Sequence, residues 1–229
     1  MEIHVTQVND CPRKVLYKME GREALPYHYY SIKGILTHAV IERCLKEYGD
    51  VAIEYPALLG DRDDKEKIPE ELYNKCLPEV TRLVDNFTSW VKETDIDLTD
   101  LAVEEEIRTE YQGYTIVGKP DLLDKATNTL IDFKTGKSMR NDYSIQLGGY
   151  KWLLEEEGGV EVDKAVVVLL GGSKAEEKEM GKKVLDKSVE VFKAKLDKLI
   201  GTISKKQNVG CSIGFHCVYC PYIHICRGI

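Results

Sequence analysis

Asp121, Asp132 and Lys134 stand within two apolar stretches joined by a turn between residues 114 and 134. Tyr114 to Asp124 reads as a strand, Ala126-Thr127-Asn128-Thr129 as a turn, and Leu130-Ile131-Asp132-Phe133-Lys134 as a second strand. Folding about Thr127 and Asn128 brings Asp121 roughly opposite the Asp132–Lys134 end. Side chains alternate along a strand, so Asp132 and Lys134 share one face. Two carboxylates and an ammonium are thus expected to converge. Carboxylates are hard donors for a divalent cation, and a lysine beside that cation completes the equipment for hydrolysing a phosphodiester.

Around the hairpin the patterning is α/β with a mixed sheet. Residues 32–48 show helical periodicity, with Ile35, Leu36, Ala39, Val40 and Cys44 on an apolar face and His38 near it. Residues 51–68 are acidic and irregular and predict a loop. Residues 70–92 predict a helix that is interrupted or restarted at Pro78. Residues 143–157 predict a helix, Lys164–Leu170 a buried strand closed by Gly171-Gly172, and 184–206 a long amphipathic helix. The organisation expected is an N-terminal, mostly helical segment (1–100), a core (101–207) and a cysteine-rich tail (208–229), forming one compact unit.

The net charge of −7 argues against a passive nucleic-acid binder, which carries a basic excess. It leaves room for an enzyme acting on nucleic acid, because the charge is unevenly placed. Acidic residues gather at Glu104-Glu105-Glu106, Glu155-Glu156-Glu157 and Glu176-Glu177. Basic ones gather at Arg13, Lys14 and Lys18, at Lys134, Lys137 and Arg140, and between Lys182 and Lys206. Gly136-Lys137-Ser138 ends like a phosphate-binding loop, but Ile131 stands where that motif requires glycine, which excludes an ATPase reading. The N-terminus lacks a signal-peptide pattern and no apolar run approaches a membrane span, so a cytoplasmic protein without a membrane partner is expected.

The string Pro120-Asp121, ten residues, then Asp132-x-Lys134 resembles the PD-(D/E)xK nuclease superfamily. Gly34-Ile35-Leu36-Thr37-His38 resembles the G-x-x-x-H motif of its RecB-like branch, and Gln146 to Tyr150 resembles that branch's Q-x-x-x-Y motif. Gln146 and Tyr150 lie one helical turn apart on one face. The motifs occur in the family's order. The resemblance implies a restriction-endonuclease-like core, with His38, Asp121, Asp132 and the carbonyl of Phe133 holding Mn²⁺ or Mg²⁺. It also implies Lys134 as the catalytic cation, with Gln146 and Tyr150 orienting it or the DNA backbone. The nitrogen of His38 suits Mn²⁺ better than Mg²⁺. Glu105 or Glu106 is a weaker candidate for metal support.

Seven cysteines in a chain read as intracellular point to metal rather than disulfides. Cys217, Cys220 and Cys226 form C-x₂-C-x₅-C, and Cys11 stands far away within Cys11-Pro12-Arg13-Lys14. This resembles the iron–sulfur clasp of AddB-type nucleases and of small CRISPR-associated exonucleases. The resemblance implies a [4Fe-4S] cluster on Cys11, Cys217, Cys220 and Cys226, tying both chain ends to the core. A local zinc site on Cys211, Cys217, Cys220 and Cys226, widened by His216 and His224, is the rival. Cys44 and Cys76 are expected to pack in the core.

The function implied is a metal-dependent DNA exonuclease acting on single-stranded ends, in CRISPR adaptation with the integrase proteins as partners. Tyr143, Tyr150, Tyr219 and Tyr222 are candidates to stack on unpaired bases, although core packing explains tyrosines equally well. The competing readings are a non-catalytic DNA-binding or adaptor module, a zinc-clasped structural protein, and a repair nuclease outside CRISPR biology. A homo-oligomer is compatible with all of them.

Overall fold

The computed structural model describes residues 1–48, 68–94, 96, 100–205, 209, 211 and 213–226. Apart from Ile68, the loop expected at 51–68 lies outside these residues, as does the end of the late basic segment.

Two sheets form the frame. The smaller, ordered β1-β4-β3, combines β1 (Glu2–His4), β4 (Tyr114–Gly118) and β3 (Ile107–Tyr111). The larger, ordered β2-β5-β6-β7-β8, combines β2 (Leu101–Val103), β5 (Leu122–Asp124), β6 (Thr129–Lys134), β7 (Lys164–Leu169) and β8 (Glu176–Gly181). In the larger sheet β6 and β7 are parallel and the other pairs antiparallel, so it is mixed as expected. The crossover from β6 to β7 carries helix α4 (Asn141–Gly158).

Helices cover the larger sheet on both faces. Helix α4 and helix α5 (Lys182–Ile203) pack on the side of Leu130, Ala165, Val167 and Leu169. Helix α2 (Tyr29–Arg43) and helix α3 (Glu70–Glu93) pack on the side of Ile131, Phe133, Val166 and Val168. Burial on both faces explains the unbroken apolar run of β7. Cys44 and Cys76 are buried in the α2–α3 core, as expected.

The sequence expectation needs two corrections. Residues 114–124 are not one strand: β4 belongs to the smaller sheet and β5 to the larger, with Lys119-Pro120-Asp121 between them. Pro120 has no N–H to donate and disturbs the residue before it, so the ladder stops there. Pro78 does not interrupt the helix at 70–92, because α3 runs continuously through it. The burial of Val80, Leu83, Val84 and Phe87 beyond that proline favours continuation of the helix.

Two glycines set how closely helices approach this frame. A Cβ on Gly118, at the end of β4, would sit 2.4 Å from Leu153 Cδ1 and 3.1 Å from Tyr150 Cδ1. A Cβ on Gly148 would sit 2.4 Å from the backbone of Ser188. Glycine at both positions lets α4 lie against β4 and α5, which sets the depth of Gln146 and Tyr150.

Candidate active site

The break between the sheets creates the site. With β5 paired to β6 so that Leu122 faces Ile131, Asp121 arrives beside Asp132 and Phe133. Asp121 Oδ2 accepts the Phe133 N–H at 2.6 Å, and Asp121 Oδ1 lies 3.1 Å from His38 Nδ1. Helix α2 delivers that histidine, and its N-terminus is capped by His28, whose ring nitrogen accepts from the Ser31 N–H at 3.4 Å. The Phe133 ring points to the opposite face, between Phe87 and Trp90, and fixes the strand at this point.

Asp132 and Lys134 share the face that meets α4. Lys134 Nζ donates to Gln146 Oε1 at 2.9 Å and forms an ion pair with Asp132 Oδ2 at 2.8 Å. It also lies 5.0 Å from the centre of the Tyr143 ring. Gln146 Nε2 donates to the Tyr150 hydroxyl at 2.8 Å and reaches Asp132 Oδ1 at 3.4 Å. The one-turn spacing of Gln146 and Tyr150 thus lets the glutamine join the lysine, the aspartate and the tyrosine.

Glu104 is the residue that the sequence reading missed. His38, Glu104 and Asp121 each offer a donor atom, and these atoms all lie within 4.8 Å of one another. Glu104 stands just after β2 with φ of +51°, an uncommon conformation for a residue with a side chain. Its N–H donates to the Asp121 carbonyl at 3.1 Å. Glu105 and Glu106, singled out instead, are exposed. Three consecutive glutamates gave no signal to choose between them, because the selection depends on that left-handed turn.

The charges of the site are interdependent. Burial pushes the Asp132 carboxyl up to about 6, reinforced by Asp121 and opposed by Lys134. Burial would raise Asp121 too, but the His38 imidazole, Lys134 and the Phe133 N–H outweigh it and hold that carboxyl below its ordinary value. Burial would lower His38 and Lys134, but their carboxylate neighbours win and both are raised. Glu104 is raised by burial and by Asp121. Burial also raises the Tyr150 phenol well above its ordinary value, so it stays protonated.

The residues fit a divalent cation. His38, Glu104 and Asp121 bring an imidazole nitrogen and two carboxylates within 4.8 Å of one another, and beside them the buried Asp132 Oδ2 meets the Lys134 ammonium at 2.8 Å. Carboxylates gathered in this way in a buried site repel one another unless cations compensate them. The nearby donors are carboxylate oxygens and one imidazole nitrogen, a set suited to Mn²⁺ or Mg²⁺.

This arrangement predicts a stability cost. The folded Asp132 carboxyl titrates near 6 and the unfolded one near 3.8. Between those values the folded state holds a proton that the unfolded state has released, so this residue's contribution to stability falls as pH rises through the window. Asp121, shifted the other way, contributes stability that is lost as pH falls. Asp132→Asn is therefore expected to raise the melting temperature of the metal-free protein at pH 7 and to shrink the difference at pH 4, as followed by circular dichroism. Equal destabilisation at both values would contradict it.

The cysteines occupy a second region. Cys11, Cys211, Cys217, Cys220 and Cys226 line one cavity of about 1680 Å³, which also reaches Gln146. Arg13 spans the two chain ends there, donating to the Val209 carbonyl at 2.9 Å and to Cys226 Sγ at 3.5 Å. Leu25 N–H donates to the Pro221 carbonyl at 2.8 Å. No closed cysteine clasp is formed: among the described residues, no three thiols come within coordinating distance of one another. All five are half-buried and none is in a disulfide. Of the tyrosines considered for base stacking, Tyr150 and Tyr222 are buried, Tyr143 is half-buried beside Lys134, and Tyr219 is exposed.

Comparison with known proteins agrees with this fold. The crystal structure of SSO0001 is similar, with a TM-score of 0.52 at 19% identity, covering 98% of this chain and 85% of that one. So is the structure of a protein from Eubacterium rectale provisionally named an exonuclease, with a TM-score of 0.63 at 12% identity, covering 99% of this chain and 87% of that one. At these identities the likeness is one of fold. No curated protein matches the sequence. The family model of the PD-(D/E)XK nuclease superfamily matches residues 4–227. With that match over nearly its whole length, and with the paired aspartates and lysine brought together at a break between two sheets, the chain belongs to the PD-(D/E)XK nuclease superfamily.

Proposed function

We propose that this chain is a metal-dependent exonuclease acting on single-stranded DNA ends. The observation that carries the reading is the grouping of His38, Glu104 and Asp121, whose donor atoms lie within 4.8 Å of one another, beside the buried Asp132–Lys134 ion pair. Superfamily membership supports hydrolysis of nucleic acid in general, and the single-strand preference comes from the resemblance to the small CRISPR-associated exonucleases.

His38, Asp121, Asp132 and the Phe133 carbonyl would hold the cation, with Glu104 as a further donor. A bound Mn²⁺ or Mg²⁺ polarises a phosphate oxygen and lowers the pKa of water. Lys134 is the catalytic cation: its ammonium stabilises the charge that develops on the attacked phosphate. Gln146 aims that ammonium by accepting from it, and Tyr150 holds Gln146 in turn. The protonated Tyr150 therefore acts as a positioning residue and not as a base. Tyr219, at the surface of the cysteine cavity and packed against His28 and Tyr30, is the exposed tyrosine that would meet an unpaired base. Cleavage of single-stranded DNA that fails in EDTA tests the activity, and equal cleavage of RNA would overturn the substrate preference.

In this reading Cys11, Cys217, Cys220 and Cys226 hold a [4Fe-4S] cluster joining the chain ends, and the cellular partners are the CRISPR integrase proteins. Cys11→Ala is expected to lose iron and visible absorbance after anaerobic purification, and Cys211→Ala to retain both. The reverse pattern, with zinc in place of iron, would assign the site to Cys211, Cys217, Cys220 and Cys226.

A further inference from the structure

Lys119 lies in the link between the two sheets, where the reaction gives it no part. Its Nζ is 2.8 Å from Glu104 Oε2 and 3.5 Å from Glu42 Oε1. Glu104 is the donor that completes the group with His38 and Asp121. Glu42 stands one turn beyond His38 on the same face of α2 and is also paired with Lys46 at 2.9 Å. Carboxylates from two separate elements thus converge on one ammonium. Pro120 restricts the backbone that carries this ammonium, and a side chain in place of Gly118 on the other side would run into Leu153.

We propose that Lys119 is a displaceable resident cation: it occupies the Glu104 carboxylate that a divalent ion needs, and so sets the metal affinity of the centre. Without metal, it neutralises two carboxylates that would otherwise repel each other. When a cation binds, the same ammonium competes for Glu104 and repels the incoming charge. Its reach to Glu42 offers a second carboxylate when Glu104 is taken. This inference rests on the proposed metal-dependent reading of the site.

The test is Mn²⁺ binding, followed through the electron paramagnetic resonance signal of free Mn²⁺ without added DNA. Lys119→Met and Lys119→Gln are each expected to bind Mn²⁺ at least about tenfold more tightly than wild type, equivalent to about 1.4 kcal/mol. Lys119→Arg, which keeps the charge, is expected to match wild type. Lys125→Met controls for net charge, because Lys125 pairs only loosely with the exposed Glu105 at 3.9 Å. Unchanged affinity in the folded Lys119 variants would overturn the proposal while leaving the metal centre standing. So would weaker binding, which would make Lys119 a residue that positions Glu104, and so would an equal gain in Lys125→Met. Absence of Mn²⁺ binding in wild type and variants alike would overturn the metal-dependent reading and this inference together.

Discussion

Lys134→Ala is expected to lower DNA cleavage by about a thousandfold or more while Mn²⁺ binding at pH 8 survives. The magnitude follows from removing a preorganised charge aimed at developing negative charge in a dry site. Lys134 also compensates the buried carboxylates of Asp132 and Asp121. Its ammonium is held by Gln146 at 2.9 Å and Asp132 at 2.8 Å, both already needed at the site. Loss of the lysine lets Asp132 hold its proton to higher pH, which is why the binding comparison belongs at pH 8. Lys134→Arg is not expected to restore the rate, because the planar guanidinium is larger and differently aimed than the ammonium fitted between Gln146 and Tyr143. Single-turnover cleavage rates with binding measured in parallel check this, and wild-type rates in Lys134→Ala would remove the lysine from the chemistry.

Asp121→Asn is expected to abolish both cleavage and Mn²⁺ binding and to lose, at neutral pH, the stability that the ionised carboxylate contributes through His38 and Lys134, while keeping the fold. The asparagine oxygen can still accept the Phe133 N–H, which the carboxylate accepts at 2.6 Å. Asp121→Ala removes that acceptor and leaves a buried N–H unsatisfied, at a cost of about 1–3 kcal/mol. Calorimetric melting should therefore rank the alanine variant clearly below the asparagine one, while both fail to bind metal. Retained Mn²⁺ binding in Asp121→Asn would show that Asp121 serves His38 and the strand, not the cation.

Much of this was legible in the sequence because it depends on local order. The Asp132-x-Lys134 spacing put both side chains on one face through strand alternation alone. Gln146 and Tyr150 needed only helical periodicity. The turn at Thr127 and Asn128 fixed the register that brings Asp121 opposite Asp132. What escaped depends on relations between distant segments. Strand β1 is three residues long and gains its identity only by parallel pairing with β4. Strand β8 is Glu-Glu-Lys-Glu-Met-Gly, an edge strand with only Met180 buried, so it shows no apolar alternation. Charged edges of this kind limit unwanted pairing and also hide the strand from pattern reading. Glu104 escaped because its direction is set by a positive φ at a residue that carries no glycine-like signal. The division of 114–124 between two sheets was signalled by Pro120, and the apolar run on either side of that residue masked it.

The cysteines illustrate a different limit. Their spacing leads to the expectation of a metal site, and Cys11 does share a cavity with the C-terminal cysteines, but among the described residues the thiols do not gather into a coordinating group. Whether they hold a group, and which, depends on four thiol positions relative to one another, and sequence spacing constrains only three of them.

The most direct measurement is the fate of single-stranded DNA labelled separately at its 5′ and 3′ ends, incubated with anaerobically purified protein with and without Mn²⁺. The expected result is metal-dependent release of mononucleotides or a shortening ladder from one labelled end, absent with EDTA. Intact DNA after incubation with a folded protein that binds Mn²⁺ would contradict the nuclease reading and favour a module that binds nucleic acid without cutting it.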